Sequence, residues 1–113
     1  MVNYIADPVL EKGEVMKIIV SFLKEQPRTQ MHSLRKAVER KLEAENVIGT
    51  ITEGNTYQRT IFNRRISDKD ALLINECIYD LLYARVLTPG VDSSNLELPF
   101  IHVSDSEKLE KFL

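Results

Sequence analysis

The sequence predicts a mainly α-helical domain of 113 residues carrying a small β-hairpin. Three observations predict it. Apolar residues recur at helical i, i+3, i+4 spacing in three stretches, Val15 to Leu23, Met31 to Leu42 and Ile74 to Leu82. Two short β-prone runs, Val86-Leu87-Thr88 and Phe100-Ile101-His102-Val103, follow the third stretch. Between those runs lie Asp92, Ser93, Ser94 and Asn95, all turn formers.

In chain order, residues 1 to 6 read as a lead-in that packs through Tyr4 and Ile5. The first secure helix covers about Lys12 to Glu25, with Val15, Ile18, Ile19, Phe22 and Leu23 as its stripe. Gln26-Pro27 ends it, because the residue before a proline is pushed out of helical geometry. Thr29-Gln30-Met31 is a short connector. The next helix covers about His32 to Asn46, with Met31, Leu34, Val38 and Leu42 in one row.

Residues 47 to 66 read as an insertion within the motif. Ile48 to Thr52 is β-prone and Glu53-Gly54-Asn55 marks a turn. A loop of this length without structure is uncommon in a small domain, so a short helix or a small hairpin is expected. The helical version places Asn55 as the cap and turns Tyr57, Ile61 and Phe62 inward.

The third helix runs from Ser67 to about Ala84. Ser67 caps it and Asp70 occupies the reciprocal capping-box position. Ile74, Cys77, Ile78, Leu81 and Leu82 form its stripe. Pro89 and Pro99 cannot donate to a ladder, so both β-runs are expected to be short or at an edge. After them, Ser104 to Glu107 has a capping-box pattern, and Leu109, Phe112 and Leu113 form the face of a short C-terminal helix.

Composition bounds the function. At 43% hydrophobic and 28% charged residues, the chain reads as one soluble globular domain. No apolar run reaches the length of a membrane helix and no secretory signal pattern stands at the start, so a cytoplasmic location and no membrane partner are expected. Cys77 is the one cysteine. It excludes a disulfide framework and a thiolate zinc site, and it reads as buried filler. His32 and His102 belong to no ligand cluster, and the four glycines are too scattered for a phosphate loop. No catalytic residue, metal, cofactor or small-molecule ligand is therefore predicted.

The net charge of −2 is unevenly spread. Residues 28 to 66 hold eight basic and four acidic groups, a local +4, and the remainder is −6. The third helix is acidic, with Asp68, Asp70, Glu76 and Asp80 against Lys69 and Arg85, and residues 86 to 107 contain no Lys or Arg.

The run Tyr79-Asp80-Leu81-Leu82-Tyr83-Ala84-Arg85-Val86-Leu87-Thr88-Pro89-Gly90, then Ser94-Asn95 and Leu98-Pro99-Phe100-Ile101-His102-Val103-Ser104, resembles the back half of bacterial winged helix-turn-helix modules. The resemblance covers about residues 67 to 104. It implies three main helices plus a wing, in a module type that often occurs as an appendage of larger bacterial proteins, including defence-associated ones. It also implies double-stranded DNA as the partner, read by the third helix and touched by the wing.

Because phosphate neutralisation supplies most non-specific affinity, the acidic third helix makes the basic middle segment the expected contact. The expected nucleic-acid-binding residues are Arg35, Lys36, Arg40, Lys41, Arg59, Arg64, Arg65 and Lys69. The competing reading is a protein-interaction or homodimerisation module. Its expected interface is Leu72, Tyr79 and Tyr83 on the third helix with Phe112 and Leu113 at the end, since aromatics anchor interfaces well.

Overall fold

A computed structural model describes residues 2–55 and 57–113. It corrects the mainly α expectation. Among the described residues the chain is a mixed α/β fold with six strands in two three-stranded sheets. The elements are β1 (Val2–Ile5), α1 (Lys12–Glu25), β2 (Arg28–Gln30), α2 (Met31–Ala44), β3 (Gly49–Gly54), β4 (Arg59–Arg65), α3 (Asp68–Tyr83), β5 (Leu87–Pro89), β6 (Phe100–Val103) and α4 (Ser106–Glu110).

The helical body follows the apolar stripes. Val15, Ile19, Val20 and Leu23 of α1 meet Leu34 and Val38 of α2 and Ile74, Cys77, Ile78 and Leu81 of α3. Val86, Leu87, Ile101 and Leu109 close the same core. Full burial of each such aliphatic side chain contributes roughly 1.5–3 kcal/mol, so this cluster holds the body together. Ser67 caps α3 by accepting from the Asp70 amide at 3.1 Å.

Both α2 and α3 end in the same way. Asn46 (φ 59°) and Arg85 (φ 62°) take the left-handed conformation just past the cap. Val47 then donates to Leu42 at 2.9 Å and Val86 to Leu81 at 3.0 Å, satisfying carbonyls that the helix leaves open.

The expected hairpin at the end of the chain is half of a larger sheet. β6 is its central strand, antiparallel to both β2 and β5, with Thr29 opposite Ile101 and Thr88 opposite His102. Pro89 falls on the edge strand β5 and Pro99 just before β6, so neither interrupts a ladder.

Of the two forms expected for residues 47 to 66, the structure has the hairpin and not the helix. The helix considered for Thr56 to Arg65 is instead strand β4, and β3 and β4 form an antiparallel hairpin from Gly49↔Arg64 to Gly54↔Arg59. Thr56 lies outside the described residues. Asn55 does not cap a helix. Its side-chain oxygen accepts from the Tyr57 and Gln58 amides at 2.9 and 3.0 Å, and this fixes the turn. Of the three residues expected to point inward, only Phe62 is buried; Ile61 is exposed and Tyr57 is 94% exposed. The lead-in is a strand as well. β1 runs parallel to β4, with Tyr4 opposite Arg64, and both Tyr4 and Ile5 are exposed.

The β1-β4-β3 sheet stands away from the body as an arm. The molecule extends 56 × 30 × 23 Å and has a radius of gyration of 16.6 Å, against about 13 Å for a compact chain of this size. A small cluster at the root joins arm to body: Ala6, Leu42 and Ile48, flanked by Leu10, Val47 and Ile66. Asp70 adds a polar tether there. Its carboxylate accepts from the Val9 amide at 3.0 Å and the Leu10 amide at 3.2 Å.

Candidate nucleic-acid interface

The basic residues of the middle segment fall into two groups with different environments. On α2, Arg35 is half-buried and donates to the Asn75 amide oxygen of α3 at 2.7 Å. Lys36 pairs with Glu39 at 3.3 Å, and Lys41 pairs with Glu14 of α1 at 2.9 Å. The hydrogen bond that Lys41 donates to the Glu14 carboxylate raises the Lys41 pKa above its ordinary value. Much of the positive charge on α2 is therefore spent within the body. Arg40 on α2 and Lys69 on α3 are exposed and carry no ion pair among the described residues.

Arg59, Arg64 and Arg65 all lie on β4, and none of them is paired with a carboxylate among the described residues. They do not share one face. Side chains alternate along a strand, so Arg59, Ile61, Asn63 and Arg65 point one way and Thr60, Phe62 and Arg64 the other.

The registers extend each face across the arm. Thr50 and Thr52 of β3 and Asn3 and Ile5 of β1 join the face of Arg59 and Arg65. That face is open to solvent apart from partly covered Asn63, and it contains no acidic residue. Guanidinium groups, hydroxyls and carboxamides on one acid-free surface are chemically suited to phosphate oxygens and base edges.

The opposite face is different. Tyr4 meets the buried Phe62 ring edge-on, with centroids 5.4 Å apart, and the Arg64 guanidinium carbon lies 5.2 Å from the same centroid. These residues line an open cavity of about 440 Å³ together with Thr60, Glu53 and Asp7. The sequence named Arg64 but missed this cluster. Its one local signal was the alternation Thr60, Phe62, Arg64. Tyr4 arrives from the far end of the chain.

The acidic character of α3 is also reduced. Lys12 of α1 bridges Glu76 at 2.9 Å and Asp80 at 2.8 Å. Asp80 and then Glu76 raise the Lys12 pKa. No sequence pattern joins Lys12 to residues more than sixty positions away.

The residues expected at a protein interface are partly grouped. Leu72 is 68% exposed and Tyr83 80% exposed, and the Tyr79 and Tyr83 rings lie 6.2 Å apart. Tyr79 and Tyr83 line an apolar cavity of about 420 Å³ with Leu82, Pro89 and Leu98. Phe112 packs against the main core, whereas Leu113 is exposed.

Among the described residues, no helix is long and apolar enough to cross a membrane. No protein-family model, curated protein or solved structure matches the chain.

Proposed function

We propose that this protein binds double-stranded DNA through the arm face that carries Arg59 and Arg65. The observation that supports this reading is the contrast in ion pairing. The arm arginines have no carboxylate partner among the described residues and stand together on one strand, whereas on the body Lys36 and Lys41 of α2 are paired and the unpaired Arg40 and Lys69 lie on separate helices. The distal part of the arm, Thr52 to Gly54 against Arg59 to Ile61, is two strands wide because β1 pairs only with Phe62 to Arg65. A two-stranded ribbon is a shape that the major groove admits. In this arrangement Arg59 enters with the ribbon. Arg65, at the wider base, meets the phosphate backbone.

Fluorescence anisotropy with a labelled duplex across a salt series tests the proposal. Wild-type affinity is expected to fall steeply with salt. The double variant Arg59→Ala/Arg65→Ala loses the phosphate contact of Arg65 and the groove contact of Arg59, so affinity falls and its log-log salt slope becomes shallower by about 1. Lys36→Ala leaves the slope nearly unchanged. Absence of duplex binding at low salt, or an unchanged slope in the double variant, overturns the reading.

A second reading rests on a separate observation, the exposed Leu72 and the Tyr79–Tyr83 pair on α3. There the protein docks another protein or a second copy through α3. Sedimentation equilibrium separates self-association from the monomeric DNA-binding reading, with Tyr83→Ala expected to weaken any dimer.

A further inference from the structure

We infer that the cavity on the opposite face of the arm is a binding site for one unpaired, amino-bearing nucleobase of single-stranded DNA. The site is built by strand register. Thr60, Phe62 and Arg64 alternate along β4, Tyr4 of β1 stands opposite Arg64, and Glu53 of β3 stands opposite Thr60. Asp7 follows just after β1, and these residues, with Ile5 and Ala6, line an open cavity of about 440 Å³.

Each part of the lining favours a base over other ligands. Tyr4 is 52% exposed and meets the Phe62 ring only edge-on, so much of its ring surface is open to a ligand. Phe62 is buried below it and forms the floor. Arg64, held over the Phe62 ring at 5.2 Å, adds a planar cation beside the tyrosine. An aromatic ring and a guanidinium plane together make a stacking platform for an unstacked base.

The carboxylates of Glu53 and Asp7 set the polarity of the pocket. They repel a phosphate, so the nucleotide backbone stays outside. They accept hydrogen bonds from exocyclic amino groups, the contact that acidic side chains make to cytosine. Thymine has no amino group and is disfavoured.

The site does not depend on the duplex reading, because Tyr4, Glu53, Thr60, Phe62 and Arg64 lie on the strand face opposite Arg59 and Arg65. The two are tested separately. Anisotropy titrations of the full chain with labelled dC12 and dT12 are expected to show dC12 binding several-fold tighter. Tyr4→Ala weakens dC12 by about tenfold, the order expected for one stacked base. Tyr4→Phe keeps the affinity, which separates stacking from the hydroxyl. Glu53→Gln, at an exposed position that the fold tolerates, brings dC12 and dT12 closer together. Duplex affinity of Tyr4→Ala stays at the wild-type value, whereas Arg59→Ala/Arg65→Ala changes only the duplex. Equal binding of dC12 and dT12, or Tyr4→Ala with unchanged dC12 affinity, overturns the inference.

Discussion

Replacing Asp70 is expected to loosen the joint between the arm and the body. The Asp70 side chain is 2% exposed and lies in the first turn of α3. Its two oxygens accept from the Val9 and Leu10 amides at 3.0 and 3.2 Å. Those amides belong to the segment that leads from β1 into α1. A hydrogen bond to a charged group contributes roughly 1.5–3 kcal/mol net. Val9 is exposed and Leu10 only half-buried, so water can recover part of each bond. Taking the lower end for both gives a loss of about 3 kcal/mol for Asp70→Ala. Asp70→Asn keeps one acceptor and presents an amino group to the second amide, so it loses about half as much. The bond from the Asp70 amide to Ser67 Oγ remains in both variants, because it uses the backbone. Urea denaturation followed by far-ultraviolet circular dichroism measures the effect. The midpoint falls with little change in slope, and the melting temperature drops by about 10 °C at the sensitivity typical of this chain length. An Asp70→Ala variant within about 0.5 kcal/mol of wild type would refute the reasoning, since two partly buried amides would then have lost their acceptor at no cost.

Two further outcomes follow from the same geometry. Gly54 sits at φ 115°, and a Cβ there would come within 1.9 Å of the Gln58 carbonyl oxygen. Gly54→Ala therefore opens the arm's turn, and hydrogen exchange should quicken in residues 52 to 61 by about 2 kcal/mol of lost protection while the helical body keeps its own. Burial pushes the Cys77 thiol up from the ordinary 9.0 to about 11. A raised thiol pKa contributes stability fully below pH 9 and loses it as pH climbs towards 11, the direction set by proton linkage. Cys77→Ala is expected to flatten the fall in melting temperature over that interval, and wild-type Cys77 should resist Ellman's reagent at pH 8 until the protein unfolds.

The helices were legible because each buries one stripe and shows it in the sequence. The helix expected to reach Asn46 ends at Ala44, because Asn46 takes the left-handed conformation that closes the cap. The arm was hard to read for a physical reason. Strand alternation appears when one face is buried and the other is wet. In β4 only Phe62 is buried, so Arg59 to Arg65 offers no alternating pattern of apolar and polar residues. β1 was hidden because its partner lies some sixty residues away. The reciprocal half of the capping box failed similarly. The Asp70 carboxylate does not turn back to the start of its own helix; it holds Val9 and Leu10, which no local rule can indicate. For the candidate site, sequence supplied Arg59, Arg64 and Arg65. It could not divide them between two faces, because that requires knowing that the segment is a strand.

A sheet with both faces largely open gains little from burial. Three strands normally need an apolar face or a covering helix for independent stability. The arm has Phe62, the half-buried Ile51 and the small root cluster of Ala6, Leu42 and Ile48. It leaves Tyr4, Ile5 and Ile61 in water. The arm should therefore be the least stable part of the structure, opening at a lower free energy than the helical body. Any ligand that binds only the closed arm stabilises it by RT ln(1 + [L]/Kd). A ligand on either face is thus linked to the order of the strands that present it. Arg59 and Arg65 cannot align without β3, and Tyr4 cannot reach its cavity unless β1 is docked. The tether from Asp70 sits at this junction. It joins the segment after β1 to the first turn of α3, so its loss lowers the free energy at which the arm opens from the body.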